Sequence, residues 1–261
     1  MKRSGPRRHL AFDEVGSTNT LALEAGRAGD PGPLWVTAER QSAGRGRRGR
    51  AWSSGRGNLY ASLLLRDPAP MADLANIPLV AAVGLRNGIA QLPGIDRDRV
   101  RIKWPNDILI GGAKTVGILI ESEKPAGEPQ LVVLGCGVNI AHWPDDAPYA
   151  VTGLHREGYR GTAAEAFAPL ADGVEKALDL WDRGRGFASV RDQWLAHAVG
   201  LGQPCRINLP GGDVAEGLFE ELDPMGRLVL ARPGGRRQVF SAGDLFLLAA
   251  ETASSPSAVS L

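Results

Sequence analysis

Four short segments of this 261-residue chain carry residue types suited to handling anions. In Gly44-Arg-Gly-Arg-Arg-Gly49-Arg50, glycines alternate with arginines. Glycines let a backbone come close to a ligand, and N–H groups and guanidinium forks together hold carboxylates or phosphates. Lys103-Trp-Pro-Asn-Asp107 sets a lysine, an amide and a carboxylate around a Trp-Pro bend. Seven residues on, Lys114 stands at the mouth of the apolar run 116–120, beside the Gly111-Gly112 turn, where a lysine is pinned in place. Gly135-Cys-Gly137-Val-Asn139 ends another apolar run with two glycines and an amide, and glycines weaken a strand unless something must approach its backbone.

The arginine segment matches the spacing GxGxxG, but a dinucleotide fingerprint opens an apolar helix. Here Arg50-Ala-Trp-Ser-Ser-Gly55 follows, a poor helix former, and the arginines would oppose a helix N-terminus that is already positive. No GxxxxGK[ST] phosphate loop is present. From the loop alone, nucleic acid and the phosphates of a small molecule are both open as partners.

The elements that must position these segments read as follows. Ser17-Thr18-Asn19 looks like a helix N-cap, with the helix closing at Gly26 or Gly29. Residues 34–38 and 58–65 read as strands, and their 19-residue connection, 39–57, holds six arginines and five glycines. Loops that long inside a compact domain are functional or disordered. Pro78 opens an apolar helix, and strands are expected at 100–104, 116–121 and 131–138. Thr162-Ala-Ala-Glu165 has capping-box spacing ahead of a helix that puts Phe167, Leu170, Val174, Leu178 and Trp181 on one face. After about residue 199, short strands (205–209, 214–220, 227–231 and 238–240) alternate with glycine turns as a small all-β unit.

Length gives one to two domains at ~150 residues each. With 43% apolar and 23% charged residues, the chain can bury a real core. Seven arginines and no acid lie between Arg40 and Arg66, although the whole chain carries a net charge of only +1. Such a block marks an anion-binding region. Cys136 and Cys205 form no CxxC, which points to a reducing compartment without structural zinc. No apolar run approaches the ~18 residues of a membrane span, and the basic N-terminus leads into no apolar signal core. A cytoplasmic protein is expected.

Taken in order, Ser17-Thr18-Asn19, Gln41-Ser-Ala-Gly44-Arg-Gly-Arg-Arg-Gly49-Arg50-Ala-Trp52, Lys103-Trp-Pro-Asn-Asp107, Lys114-Thr-Val-Gly117 and Gly135-Cys-Gly-Val-Asn139 resemble biotin protein ligases, over about residues 10–248. The resemblance implies an α+β fold: a mixed sheet with helices packed on one face, similar to class II synthetases, plus a C-terminal SH3-like β-barrel. The implied division is a catalytic domain at 1–198, the barrel at 199–250 and a disordered tail at 251–261. It implies that biotin and ATP form biotinyl-5′-AMP, whose biotinyl group passes to a lysine on the biotin carboxyl-carrier domain of acetyl-CoA or a related carboxylase.

By the same resemblance Ser17, Thr18 and Gln41 hold the biotin ureido group, with Asn19, Gly44, Arg45 and Gly46 beside them and Gly117, Gly135 and Gly137 as the floor of the slot. Arg47 and Lys114 grip the biotin carboxylate and the α-phosphate as the catalytic pair. Arg48, Arg50, Lys103, Asn106, Asp107 and Asn139 serve the nucleotide, Asp107 also serving Mg²⁺, and Trp52 covers the adenylate. A carboxylate attacking a phosphate is repelled by it, so fixed cations must neutralise both. No side-chain base is needed for a carboxylate already ionised at pH 7.

Only 16 residues precede Ser17, which predicts no DNA-binding domain and no DNA partner. No membrane partner is expected, and oligomeric state, a homodimer included, is open. Lipoate–protein ligase is the rival within the fold, but its signature is not found. An arginine–glycine RNA-binding module would need aromatic platforms, and 41–57 offers only Trp52. Ordering the nine residues 44–52 costs roughly 10 kcal/mol. That segment is therefore expected to be disordered until an anion and the body of biotin offset the cost.

Overall fold

The structure, a computed structural model, describes residues 6–248, and the expected disordered tail falls outside them. Seven strands build the first sheet: β1 (His9–Val15), β2 (Leu34–Gln41), β3 (Leu59–Arg66), β4 (Val100–Lys103), β5 (Asp107–Ile110), β6 (Ala113–Glu123) and β7 (Leu131–Val138). Their spatial order is β1-β2-β3-β7-β6-β5-β4. β1 and β2 are parallel and every other pair is antiparallel, so the sheet is mixed.

A parallel pair needs a crossover, and α1 (Thr18–Arg27) supplies it. Side chains alternate across a strand, so β2, β3 and β7 each feed both faces. Leu34, Val36, Leu64, Leu131 and Val133 pack under Ala22 and Leu23 of α1. Their neighbours Trp35, Leu63, Leu65, Val132 and Leu134 face the main core. There α2 (Ile77–Ile89), α3 (Ala163–Trp181) and α4 (Phe187–Ala196) cover the sheet together. Three helices thus share the expected face, while α1 lies on the other one because the crossover carries it there.

The capping box at α3 forms in full: Thr162 Oγ1 accepts from the Glu165 N–H, and Glu165 Oε2 accepts from the Thr162 N–H at 2.7 Å. The sequence-predicted face buries Phe167, Leu170, Val174 and Trp181. α2 and α3 approach so closely that a Cβ at Gly84 would lie 2.5 Å from Val174 Cα.

The second sheet, antiparallel throughout, contains β8 (Pro204–Asn208), β9 (Val214–Leu222), β10 (Leu228–Ala231), β11 (Arg237–Phe240) and β12 (Asp244–Leu247) in the order β11-β10-β9-β8-β12. Its inward residues Ile207, Phe219, Leu230 and Leu245 join the same hydrophobic cluster as Phe187 and Trp194. The Trp194 and Phe219 rings meet edge-on at 6.4 Å. Among the described residues no helix is long and apolar enough to cross a membrane.

Candidate active site

The motifs converge on one cavity of ≈ 440 Å³. Every residue singled out from the sequence lines it except Gly44 and Asn139. They come from unrelated places: the first turn of α1, the end of β2 and the loop beyond it, the β4–β5 turn, and the facing strands β6 and β7. A volume of this size suits a small organic ligand held by a few polar groups.

Thr18, Gln41 and Ser54 form one neutral hydrogen-bonded network at the cavity. Gln41 Oε1 accepts from the Thr18 N–H at 2.9 Å and lies 3.1 Å from Thr18 Oγ1. Gln41 Nε2 donates to Ser54 Oγ at 3.1 Å, and Ser54 Oγ donates to the Trp52 carbonyl at 2.8 Å. Gly44 sits behind this network, where a Cβ would overlap Ser54 Oγ. Its missing side chain lets the loop fold onto Gln41.

Another part of the lining is cationic. Arg47 Nη1 donates to Asn106 Oδ1 at 2.8 Å and Nη2 to the Gly243 carbonyl at 3.0 Å. Asn106 Nδ2 donates to the Ile118 carbonyl at 2.5 Å, so its amide is occupied in fixing Arg47 to the sheet. Lys114 Nζ faces Asp107 Oδ1 at 2.8 Å and lies 5.5 Å from the ring centroids of both Trp52 and Tyr149. Lys103 Nζ stands 4.8 Å over the Phe246 ring. Burial pulls the Arg47 guanidinium and the Lys103 ammonium below their ordinary values, which leaves both eager for an anion.

The structure gives the arginine segment a defined conformation in which the chain itself supplies its partners. Arg45 and Ala51 bridge antiparallel, a 3-10 turn spans Arg47–Gly49, and Arg48 takes a left-handed φ of 56°. No long helix follows the glycines, in keeping with the rejected dinucleotide reading. In this conformation an acid from elsewhere in the chain meets the arginines. Asp244, at the head of β12, accepts from Arg50 at 2.7 Å and Arg48 at 3.1 Å and faces Arg47 at 3.4 Å. Burial alone would raise the Asp244 carboxyl, yet the Arg50 hydrogen bond and the charges of Arg47, Arg48 and Arg50 hold it below its ordinary value.

A partly exposed charged hydrogen bond is worth roughly 1–2 kcal/mol. Asp244→Asn is therefore expected to raise loop opening roughly tenfold. Limited trypsinolysis after Arg47, Arg48 and Arg50 measures this, and cleavage at the parent rate would show that Asp244 does not hold the loop.

The three glycines expected to floor a ligand slot line the cavity, and protein side chains lie close against them. The Trp52 indole covers Gly117 and Gly137; a Cβ at Gly117 would come within 2.7 Å of Trp52 Cζ3, and one at Gly137 would overlap Nε1. Asn19 Oδ1 covers Gly135 in the same way. Trp52 Nε1 is buried without a hydrogen-bond partner, so a ligand atom that accepts there would satisfy it. Asn139 is buried outside the cavity: its N–H donates to the Thr115 carbonyl at 2.9 Å and its carbonyl accepts from the Leu154 N–H at 3.0 Å.

Sequence reasoning passed over Asp244, Phe246 and Tyr149, which line the cavity, and Ser62 and Glu121, which stand behind it. None lies in a motif. The only signal is the acid-free run 40–66, whose arginines require acids from elsewhere in the chain.

Comparison with known proteins adds a separate line of evidence. Residues 12–139 match the biotin/lipoate A/B protein ligase family, and residues 200–248 match the biotin protein ligase C terminal domain. A biotin–[acetyl-CoA-carboxylase] ligase of Paracoccus denitrificans is 38% identical over 239 residues, covering 88% of this chain and 96% of that protein. A Mycobacterium tuberculosis protein of the same name is 31% identical over 246 residues, covering 93% and 90%. Among solved structures, a biotin protein ligase from Aquifex aeolicus in complex with biotin and ATP shares the fold, with a TM-score of 0.78 at 22% identity over 92% of this chain and 98% of that one.

Proposed function

The chain belongs to the biotin protein ligase family, and we propose that its cavity holds a ureido group at Ser17, Thr18 and Gln41 and meets phosphate at Arg47, Lys103 and Lys114. The enzyme activates biotin with ATP to biotinyl-5′-AMP and transfers the biotinyl group to a lysine of a carboxylase's biotin-carrier domain. The observation that carries the residue assignment is that the Thr18–Gln41 hydrogen-bond network and the cations Arg47, Lys103 and Lys114 line one cavity.

In the first step a carboxylate oxygen of biotin attacks the α-phosphorus, and the bond to the β-phosphate oxygen breaks as pyrophosphate leaves. Both reactants are anions. Arg47 and Lys114 neutralise them, and their positions are set beforehand by Asn106, Gly243 and Asp107. Charge held in place before the reaction needs no reorganisation during it. Lys103, Arg48 and Arg50 face the phosphates that depart, and Trp52 closes over the acyl phosphate and excludes water. In the second step the carrier lysine's amine attacks the acyl carbon and AMP leaves.

Asp107 would help hold a Mg²⁺ brought in with ATP, which would supply shielding of the triphosphate charge. Asp107 Oδ1 is buried and forms an ion pair with Lys114 that lacks hydrogen-bond alignment, so it has an acceptor to offer. Among the described residues no cluster of three or more His, Cys, Asp or Glu exists, so Asp107 would give one ligand and phosphates and water the rest. That pattern is usual for Mg²⁺. Both cysteines are free and buried, and burial pushes the Cys136 thiol up to about 12.

The test is exchange of labelled pyrophosphate into ATP. Exchange that depends on biotin and is not elicited by lipoate is expected; exchange driven by lipoate instead would overturn the assignment.

A further inference from the structure

Glu121 lies on β6 outside the cavity lining, yet it joins two parts of the site. Its Oε2 accepts from Asn19 Nδ2 at 2.7 Å. Both carboxylate oxygens also face Arg45 Nη2, at 3.2 and 3.1 Å. Arg45 Nη1 donates to Thr20 Oγ1 at 3.1 Å. The Arg45 side chain is thus tied down at Glu121 and Thr20, and this leaves its backbone as the part presented to a ligand.

The second link concerns protons. A carboxylate only accepts, so Glu121 fixes which way the Asn19 amide points: Nδ2 toward Glu121 and Oδ1 toward Ser62. Asn19 Oδ1 can only accept, so Ser62 Oγ, 2.6 Å away, places its single proton there. Ser62 Oγ lies 2.7 Å from Thr18 Oγ1 and has a lone pair left to receive the Thr18 proton. The other partner near Thr18 Oγ1 is Gln41 Oε1, also an acceptor, at 3.1 Å. Either way the Thr18 hydroxyl donates inward, and toward the cavity it offers a lone pair. Ser62 is fully buried, and Thr18 and Asn19 are nearly so, so water cannot reset this order. Gly135 permits the arrangement, because a Cβ there would overlap Asn19 Oδ1.

We propose that Glu121 is a positioning residue for biotin: through Asn19 and Ser62 it makes Thr18 an acceptor for a ureido N–H, and through Arg45 it anchors the first turn of the arginine loop. The proposal rests on the biotin ligase reading and adds to it a residue that touches no substrate. It explains why an acid stands beside the slot for a neutral ureido group. Without the carboxylate, the Asn19 amide is free to turn over, and Ser62 then faces an N–H and sends its own proton to Thr18 Oγ1. Gln41 Oε1, 3.1 Å away and already accepting from the Thr18 N–H, is then the one inward acceptor left to hold the Thr18 proton.

The test compares Glu121→Gln and Glu121→Asp with the parent enzyme. Pyrophosphate exchange yields KM and kcat for biotin and for ATP, and binding of biotin alone is titrated in parallel. Glu121→Gln conserves shape and removes the charge. It is expected to raise the biotin KM and the biotin Kd by ~10–100-fold, the loss expected for one hydrogen bond to a charged group. ATP KM and kcat at saturating biotin should change less than about threefold, because the phosphate end is built from other residues. Glu121→Asp, which keeps the charge, should recover part of the biotin affinity.

An unchanged biotin Kd in Glu121→Gln overturns the proposal. So does a loss that falls equally on biotin and ATP, or on kcat alone, since a general structural defect would look like that. The parent enzyme separates the two levels: if it shows no biotin-dependent exchange, the ligase reading fails, and if it does while the variants match it, only the role of Glu121 fails.

Discussion

Replacing Lys114 with alanine is expected to leave a folded protein whose adenylation step is slowed ~10²–10³-fold, the usual effect of deleting one donor at a developing oxyanion. The backbone at this position is held independently of the side chain. The Lys114 N–H donates to the Ala150 carbonyl at 2.8 Å and its carbonyl accepts from the Thr152 N–H at 3.0 Å, so β6 keeps its place. The loss has two sources. One cation no longer meets the biotin carboxylate and the α-phosphate. In addition Asp107, whose ion-pair partner at 2.8 Å is gone, turns from a support into a negative charge facing a triphosphate. Pyrophosphate exchange at saturating biotin and ATP measures the step, with a melting curve to confirm the fold. Retention of more than about a third of the parent rate would remove Lys114 from the catalytic pair, against the donor effect cited above.

A chain ending at His197 should lose activity altogether, and with it most of its soluble fold. Ile102 donates to the His197 carbonyl at 2.9 Å and accepts from the Val199 N–H at 2.8 Å, so the edge of β4 is covered by the segment leading into the second sheet. Truncation there uncovers Phe187 and Trp194, whose packing is shared with Phe219 and Leu222 in a single continuous core. Losing a buried aromatic contact alone costs about 3–5 kcal/mol, a large part of the stability of an ordinary domain. The cavity is damaged as well, because Asp244 no longer holds Arg47, Arg48 and Arg50, and Lys103 loses the Phe246 ring. Near-ultraviolet circular dichroism and pyrophosphate exchange are the measurements. A soluble, exchange-competent chain ending at His197 would show that the second sheet is dispensable for adenylation.

Much of the chemistry was legible before any coordinates. Cations in a glycine-rich loop, a lysine at a strand mouth and the capping box at Thr162 are local patterns, and local patterns survive in the sequence because neighbours along the chain make them. The short apolar runs of β2, β3 and β7 marked those strands for the same reason. Elements with weak local signals were missed. β1 is exposed along most of its length and shows no buried alternation, and β5 begins inside the Pro-Asn-Asp turn signal. α4 buries only Phe187, Val190 and Trp194, too sparse a stripe to stand out.

The sequence by itself determined which side chains could meet anions, and that a cationic loop of this kind could be ordered only by negative charge. Only the tertiary structure decided where that charge comes from: Asp244, 194 residues from Arg50, and Glu121, 76 residues from Arg45. It also decided that Gly117, Gly135 and Gly137 make room for Trp52 and Asn19. The physical reason is common to all of these. A charge pair or a close approach depends on distances of about 3 Å in space, and residues brought together by sheet order rather than by chain order leave no periodic trace in the sequence.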